Sequence, residues 1–298
     1  MTTTVERAPN DGHPAPWLAP AVLVLAVFYA VPVLDVARLA FSDATLIEPA
    51  TGFSTQALSA ILGNPALPQV LGTTLLFVAV NVLALQVAGL AIALLIVRGE
   101  RRELPGMAAF RTLVLAAWVV PGIANGLIWQ ILFDEAPYGT LNSLLGYAGL
   151  GPVAWLSDPR MALVSAVIAN LWQGTAFSMI VFYAARRGID PTLYEVADLD
   201  GAGPVRTFRS ITLPLMRRAI AVNTVLVSVQ TLNTFDSILA LTGGGPGRAT
   251  EVLSLFTFNT VFYNLDLAGG SVLALMLFAL GMVLTLLIGW LNRGEARA

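Results

Sequence analysis

Residues 70–97 read VLGTTLLFVAVNVLALQVAGLAIALLIV, a continuous stretch without a single charged side chain. The hydrocarbon core of a bilayer is about 30 Å thick, and roughly 20 apolar helical residues are enough to cross it. Irregular backbone finds no hydrogen-bond partners in lipid, so only a helix can span the membrane in a segment of this kind. The stretch therefore predicts a transmembrane helix.

The rest of the chain repeats this pattern. Of its 298 residues 57% are hydrophobic and only 11% are charged, against roughly 25% charged in ordinary soluble domains. Short segments hold most of the charges and separate long apolar runs. The sequence therefore predicts an all-α, polytopic membrane protein, and its six predicted spans are residues 17–41, 70–97, 112–133, 161–185, 219–241 and 267–292.

Arginine placement predicts the orientation of these spans. Positive residues in short loops stay on the cytoplasmic side, and with the N-terminus inside, thirteen of the 16 basic residues lie there. They are Arg7, Arg98, Arg101, Arg102, Arg111, Arg186, Arg187, Arg206, Arg209, Arg217, Arg218, Arg293 and Arg297. We therefore expect a disordered cytoplasmic tail over residues 1–16, a six-helix body over 17–292 and a cytoplasmic tail over 293–298.

Residue types that the chain lacks exclude several kinds of site. It has no cysteine and no lysine, which excludes thiolate metal sites and a Walker-type phosphate loop. The single histidine, His13, lies in the predicted tail, and no acidic cluster has a histidine or cysteine beside it. The net charge of -2 gives no reason to expect nucleic-acid binding. We therefore expect no enzyme activity and no cofactor in this chain, so any ATP and Mg would be bound by a partner.

The longest predicted internal loop, residues 186–218, contains RRGIDPTLYEVADLDGAGPVRTFRSITLPLMRR. Asp190 followed by Pro191 indicates a helix start, and Gly201 is placed to end that helix in a left-handed conformation. Gly203 and Pro204 indicate a second helix, which is expected to stop before Pro214. A helix, a glycine bend and a second helix on the cytoplasmic face would expose apolar residues to a partner.

This loop resembles the EAA signature of ABC-importer permeases. The matching residues are Glu195, Ala197, Gly201, Ile211, Leu213 and Pro214, and Asp200 and Phe208 resemble residues common in the carbohydrate branch. Val196 and Arg218 depart from the usual pattern. The glycine-rich segment from Leu241 to Pro246 resembles the loop before the last span in the first permease subunit of maltose- and glycerol-phosphate-type systems.

The resemblance implies a function and a set of partners. The chain would form half of a translocation pathway for a sugar, or a related polyol phosphate, in the bacterial plasma membrane. A second, similar permease, two ATP-binding subunits and an extracellular solute-binding lipoprotein would complete the importer. We call residues 186–218 the coupling loop. Within it, Glu195 would be the polar anchor to the ATPase, Gly201 the bend, and Tyr194, Ala197 and Phe208 the apolar contacts.

Polar residues inside the predicted spans are candidates for the substrate pathway, because polar groups in lipid face a cavity or another helix. Neutral amides suit hydroxyl-rich ligands since they donate and accept hydrogen bonds. The candidates are Asn125, Trp129, Asn170, Gln173, Gln230, Asn233 and Asp236. The spacing of Asn223, Gln230, Thr234 and Ser237 predicts one stripe along a continuous fifth span. Hydrogen bonding to the second permease is the alternative interpretation.

Two further expectations concern these spans. Asp236 lies about 25 Å along the fifth helix by its rise per residue, near the outer side, where it contacts substrate or belongs to a hydrated gate or structural pair. Pro121 and Gly122 should kink the third span.

From another functional class, an ion-coupled secondary transporter is the alternative, although such proteins normally show more spans with internal repeats.

Overall fold

A computed structural model describes residues 15–136 and 139–293, and throughout these ranges the regular structure is helical. The predicted terminal tails lie outside the described residues except for Ala15, Pro16 and Arg293, as do Arg7, His13 and Arg297. The helices are α1 (Ala15–Leu25), α2 (Val31–Ala40), α3 (Gln56–Leu62), α4 (Leu67–Arg101), α5 (Met107–Val119), α6 (Gly122–Leu132), α7 (Thr140–Tyr147), α8 (Pro159–Arg187), α9 (Thr192–Leu199), α10 (Pro204–Thr207), α11 (Leu213–Leu232), α12 (Asp236–Thr242), α13 (Leu253–Phe262) and α14 (Leu267–Arg293).

Five helical segments of the described chain are long and apolar enough to cross a membrane, and a sixth is reached if one bent pair counts as a span. The five are Trp17–Ala40, Leu67–Arg101, Pro159–Arg187, Pro204–Leu232 and Leu267–Leu291. The prediction of an all-α membrane protein is therefore confirmed. The short helices α3 and α7 lie in the connections between the first and second and between the third and fourth predicted spans.

The third predicted span is broken instead of merely kinked. Its halves, α5 and α6, meet at 104°. Val120 has an extended backbone and Pro121 lies directly before α6. Proline disfavours a helical conformation in the residue before it and supplies no N–H for a continuous helix. The kink predicted at Pro121 is confirmed, but its size makes one straight crossing impossible.

The fifth predicted span is not one continuous helix to residue 241, contrary to the sequence prediction. Helix α11 ends at Leu232, and the separate helix α12 begins at Asp236. Asn233 Nδ2 donates to the Val229 carbonyl oxygen at 2.8 Å, and Asp236 Oδ1 accepts from the Ser237 N–H at 2.9 Å. Such local side-chain bonds compete with continuation of a helix. The predicted polar stripe is consequently divided between two helices.

The two broken spans pack against each other through glycines. Gly122 and Gly126 lie one helical turn apart on α6, facing α12. A Cβ atom added at Gly126 would lie 2.6 Å from Ala240 Cβ, too close for any real contact. Small residues at this spacing let membrane helices approach closely. The glycines therefore fix the α6–α12 contact.

The second helix of the coupling loop also differs from the prediction. It does not stop before Pro214 but continues from Pro204 to Leu232 through a π-helical segment, Phe208–Thr212. A proline removes one backbone hydrogen bond and crowds the preceding turn. The wider π turn directly before Pro214 relieves this conflict within the helix. The same arrangement recurs in the first span, where the π segment Ala26–Ala30 precedes Pro32.

Helices α4 and α8 form the centre of the molecule, and α11 packs against both. Their contact is close at Gly89, where an added Cβ atom would overlap with Ser178. On one flank, α2 and α13 pack against α14. One buried cluster joins the last turns of α4 and α8 to the coupling loop through Ile96, Phe182 and Tyr194.

Side-chain hydrogen bonds hold the connection between α6 and α8 together. Glu135 accepts hydrogen bonds from the N–H groups of Leu156 and Ser157 at 2.6 and 2.7 Å and from Ser157 Oγ at 2.7 Å. Burial raises the pKa of Glu135, but these hydrogen bonds outweigh it and leave the pKa below its ordinary value. The Asn142 side chain likewise bonds the backbone of Val153, since its Nδ2 donates to the Val153 carbonyl oxygen and its Oδ1 accepts from the Val153 N–H. The glycine-rich segment forms a turn, as predicted, with Gly243 and Gly244 at positive φ.

Candidate functional site: the coupling loop and the polar interior

The coupling loop begins as the sequence predicted. Asp190 Oδ1 accepts a hydrogen bond from the Thr192 N–H at 2.9 Å and another from the Thr192 hydroxyl. These bonds stabilise the carboxylate and lower the pKa of Asp190. Asp190 therefore caps the start of α9 and complements the positive end of its helix dipole.

Helix α9 has a buried face and an exposed face, and each carries apolar residues. Tyr194 and Ala197 are each only 7% exposed, because they pack against this chain. Leu193, Val196 and Leu199 are exposed. This corrects the expectation that Tyr194 and Ala197 are free for contact with another protein. The apolar side chains that α9 offers to a partner are the other three.

Gly201 makes the predicted bend. Its φ is +70°, a left-handed conformation, and the Ala202 N–H bonds back to the Ala197 carbonyl oxygen at 2.9 Å. A side chain disfavours this conformation, whereas glycine adopts it freely. No heavy atom lies within 4 Å of a Cβ built at Gly201, so the backbone alone demands glycine there.

The remaining signature residues differ in exposure. Glu195, Asp200, Leu213 and Pro214 are exposed, whereas Phe208 and Ile211 are partly buried. Ile211 packs against the same cluster as Tyr194. The exposed surface of the loop consequently combines the acidic Glu195 and Asp200 with the apolar face of α9.

Tyr194 attaches the loop to the ends of the spans. Its hydroxyl lies 3.1 Å from Thr212 Oγ1, in the π segment. Its ring lies 3.7 Å from the Arg186 guanidinium carbon and 5.1 Å from that of Arg101. Cation–π contacts are strong when the partners are desolvated. Tyr194 thus connects α9 with α4, α8 and the helix that leads into α11.

Three of the predicted pathway residues form hydrogen bonds to distant segments of the chain. Asn125 is fully buried, and its Nδ2 donates to Ser237 Oγ at 2.9 Å. Asn170 Nδ2 donates to Asn81 Oδ1 at 2.8 Å, and Gln173 Nε2 donates to the Val120 carbonyl oxygen. These contacts are the interhelical hydrogen bonds of the alternative interpretation, made within this chain and not to a second one.

The other candidates lie elsewhere. Gln230 and Asn233 are exposed near the end of α11, and Asn233 lines a cavity of about 530 Å³ between α11 and α14. Trp129 is partly buried against Phe133, with ring centroids 5.2 Å apart. Asp236 lies at the start of α12 instead of on the fifth span helix, so its predicted position along that helix was wrong.

Several connections escaped the sequence analysis. Asn223 Nδ2 donates to Gln86 Oε1 at 2.6 Å and to Ser178 Oγ at 3.0 Å, joining three central helices. Nothing in the spacing of these residues identifies their partners. The break before α12 did have a signal, because Asn233-Thr234-Phe235-Asp236 contains three residues that favour turns and caps. Within the described ranges, the His, Cys, Asp and Glu side chains form no group that could hold a metal ion.

Comparison with known proteins identifies the family. The sequence profile of the binding-protein-dependent transport system inner membrane components matches residues 87–297. The chain belongs to this family. It is therefore a multi-pass membrane permease of an ABC importer, in agreement with the resemblance of its coupling loop, and the ion-coupled transporter has no support.

The permease has similar relatives among curated transport proteins. It is 37% identical over 75% of its length to the trehalose/maltose transport system permease protein of Thermococcus litoralis, covering 73% of that protein. It is 31% identical to the sulfoquinovosyl glycerol transport system permease protein of Agrobacterium fabrum, over 90% of this chain and 86% of the relative. The sn-glycerol-3-phosphate transport system permease protein of Brucella abortus is also 31% identical, over 93% of both chains.

A solved structure confirms the fold of the permease. A chain of a bacterial ABC transporter involved in the import of the acidic polysaccharide alginate superposes with a TM-score of 0.79 at 21% identity, over 93% of this chain and 94% of that chain. The same transporter in complex with an alginate pentasaccharide-bound periplasmic protein gives a TM-score of 0.77 at 20% identity, over 94% and 93%.

Proposed function

We propose that this permease forms half of the translocation pathway of an ATP-driven importer for an uncharged di- or oligosaccharide. In this proposal the segment from Asp190 to Pro214 transmits the state of an ATPase subunit to the spans. The observation that carries the proposal is the coupling loop, in which one face of α9 is anchored to three spans and the other is left exposed.

The exposed face has the properties of a docking surface. Leu193, Val196 and Leu199 project from one short helix, and Leu199 is 88% exposed. Apolar side chains gathered in this way indicate a protein partner. Glu195 and Asp200 add acidic groups at the edge of the surface. An ATPase groove with an apolar floor and basic rim is the occupant whose chemistry fits.

The anchored face explains how movement would pass from the ATPase to the membrane. Tyr194 contacts side chains at the ends of α4 and α8 and in the π segment before α11. A displacement of α9 therefore acts on three spans together. Such a rigid-body switch, biased by nucleotide binding to the partner, is an established form of conformational coupling.

The orientation and the remaining partners follow from the same proposal. With the bent pair of α5 and α6 counted as one crossing, docking of a cytoplasmic ATPase on α9 would make both termini cytoplasmic, in agreement with the arginine distribution. A second permease would cover the exposed cavity between α11 and α14 that Asn233 lines. A solute-binding lipoprotein would deliver the sugar from outside. ATP and Mg would be bound by two ATPase subunits and not by this chain.

The charge of the interior supports an uncharged substrate. Named substrates of the relatives include trehalose and maltose on one side and sn-glycerol 3-phosphate on the other. No residue proposed for the pathway is cationic. The one charged residue among them is the acid Asp236, at the start of α12. A phosphate entering this half of the pathway would meet an acid and no cation.

Uptake into proteoliposomes tests the proposal. This permease should be reconstituted with the second permease, the ATPase and the binding protein of the same importer. The complete importer should take up a labelled neutral disaccharide from the binding-protein side only when ATP is enclosed. It should not take up sn-glycerol 3-phosphate. Uptake without ATP, or driven by an ion gradient, would contradict the transport mechanism. Uptake of the phosphate alone would contradict the substrate class.

A further inference from the structure

Beside the coupling loop, the ends of α4 and α8 enclose a cavity of about 280 Å³. Arginines and apolar residues share its wall, together with one acid. The lining residues are Val97, Glu100, Arg101, Arg186, Arg187, Ile189 and Pro191. Both helices end here, so the cavity lies where these two spans leave the apolar layer.

The single carboxylate of the cavity already has partners. Glu100 Oε2 lies 3.0 Å from Arg187 Nη1, and Glu100 Oε1 lies 3.7 Å from Arg111 Nη1. The Tyr183 hydroxyl also bonds this carboxylate, at 2.9 and 3.0 Å. Glu100 therefore pairs with Arg187 and Arg111, and its single negative charge offsets at most one of theirs. It leaves the other two arginines of the cavity unbalanced.

Those two arginines have no acidic partner. In the described part of the chain, no carboxylate oxygen lies within 4.0 Å of Arg101 or Arg186. Arg186 is only 6% exposed. The ring of Tyr194 and the C-terminal ends of α4 and α8 compensate part of this charge. A buried cation nonetheless remains costly unless an anion or a full set of hydrogen bonds accompanies it.

We propose that this cavity binds the phosphate of an anionic phospholipid headgroup. Guanidinium groups are suited to phosphate because their planar donors match two of its oxygens. Basic pockets between spans at the cytoplasmic surface attract such headgroups. Val97 and Ile189 supply the apolar part of the wall, against which the start of an acyl chain packs.

The position of the cavity favours a lipid over an acidic side chain of the ATPase. Arg101 and Arg186 contact Tyr194, which belongs to the buried face of α9. The surface available for docking, with Leu193 and Val196, lies on the other face of that helix. A bound lipid would thus lie behind the coupling loop, where it reinforces the attachment of Tyr194 to the spans.

Native mass spectrometry of this permease, purified in detergent together with the second permease, tests the site with soluble short-chain lipids. Dihexanoyl-phosphatidylglycerol should bind, and dihexanoyl-phosphatidylcholine should bind at least about tenfold more weakly, because its choline brings a positive charge to the arginines. Inorganic phosphate should also bind more weakly than phosphatidylglycerol. Equal binding of the two lipids would overturn the proposal, and phosphate binding as tightly as the lipid would assign the cavity to a free anion.

Variants locate the binding. Arg101→Gln removes an exposed arginine of the cavity and should weaken phosphatidylglycerol binding at least about tenfold. Arg102→Gln, which alters the adjacent arginine outside the cavity wall, should leave it unchanged. Arg186→Gln should abolish it, with the folded fraction checked by tryptophan fluorescence. Unchanged binding to Arg101→Gln would contradict the proposal. Loss of the lipid when the ATPase subunit binds would assign the cavity to that subunit and would also overturn it.

Discussion

The carboxylate of Asp236 lies against Gly122, so closely that a Cβ atom added at residue 122 would overlap with its oxygens. Gly122 is the first residue of α6, and Asp236 is the first residue of α12. One carboxylate is therefore held at the N-terminal ends of two half-helices. The positive ends of their dipoles favour its negative charge, which offsets the cost of placing an acid there.

Gly122→Ala should destabilise the permease because the methyl group has no room beside Asp236. Overpacking of this kind costs about 1–3 kcal/mol, and thermal unfolding of the permease in detergent, purified together with the second permease, should report it as a lower midpoint. Gly72→Ala, in α4, is the matched control, because no heavy atom lies within 4 Å of a Cβ atom added at this position. That substitution should be neutral or slightly stabilising. Equal midpoints for Gly122→Ala and the unaltered protein would remove the close contact from the account.

Amide residues of the spans should divide into structural and pathway groups. Asn170→Leu leaves the buried Asn81 oxygen without its donor, a change that costs about 1–3 kcal/mol. Gln230→Leu alters an exposed side chain and should reduce sugar uptake without lowering stability. Unfolding midpoints and uptake rates of both variants check this division. Unaltered transport by Gln230→Leu, and by Asn233→Leu, would assign this end of α11 to packing.

Acid should loosen the start of the coupling loop. The pKa of Asp190 is lowered in the folded protein from its ordinary value of 3.8, by hydrogen bonds from Thr192. Its stabilising effect is therefore fully present above that value and is lost as the pH falls through the lower, folded pKa. Hydrogen exchange over residues 192–199, corrected for the intrinsic effect of pH, should rise below pH 3.8. Asp190→Asn should lose this pH dependence. A dependence of equal size in that variant would contradict the capping role.

Purification should reveal the need for a second permease. The cavity between α11 and α14 is lined mainly by apolar side chains, including Leu232 and Phe278, and none of the described residues fills it. The permease produced alone should aggregate in detergent, whereas production with the neighbouring permease should give a single species in size-exclusion chromatography. A transport-competent assembly containing this permease and the ATPase but no second kind of permease would favour a homodimer.

Local sequence signals predicted the elements that depend on local chemistry. Pro121 marked a real break, and Gly201 has the positive φ expected of a helix-ending glycine. Predictions that required knowledge of neighbouring helices were less successful. Helix α9 has apolar residues on two faces, so its sequence could not say that Tyr194 faces inward and Val196 outward.

Polar residues show the same limit. An asparagine inside a span satisfies its hydrogen bonds equally well with a sugar or with another helix. The identity of its partner depends on helix packing, as in the pairing of Asn170 with Asn81 across α8 and α4. The end of α11 depended on the side chains of Asn233 and Asp236 bonding the backbone of Val229 and Ser237, and a search for long apolar segments does not detect such bonds.

The role of the coupling loop can also be tested through its acidic edge. Glu195 is exposed, so Glu195→Ala should leave folding and pairing with the second permease intact. It should reduce sugar-stimulated ATP hydrolysis and uptake together, because both require the same contact with the ATPase. Rates of hydrolysis and uptake in proteoliposomes provide the check. Full activity of both kinds would remove Glu195 from the coupling role.

The most direct measurement compares ATP-driven sugar uptake by Gly201→Val and Gly203→Val in proteoliposomes containing the complete importer. Gly201 has φ +70°, where valine is strained, whereas Gly203 has φ -67° and an extended backbone. Neither position has a heavy atom within 4 Å of an added Cβ, so the two variants differ mainly in backbone conformation. Strain from a side chain in the left-handed region costs about 1–2 kcal/mol. The account predicts that Gly201→Val loses both uptake and bound ATPase while Gly203→Val retains them; normal uptake and ATPase binding by Gly201→Val would contradict it.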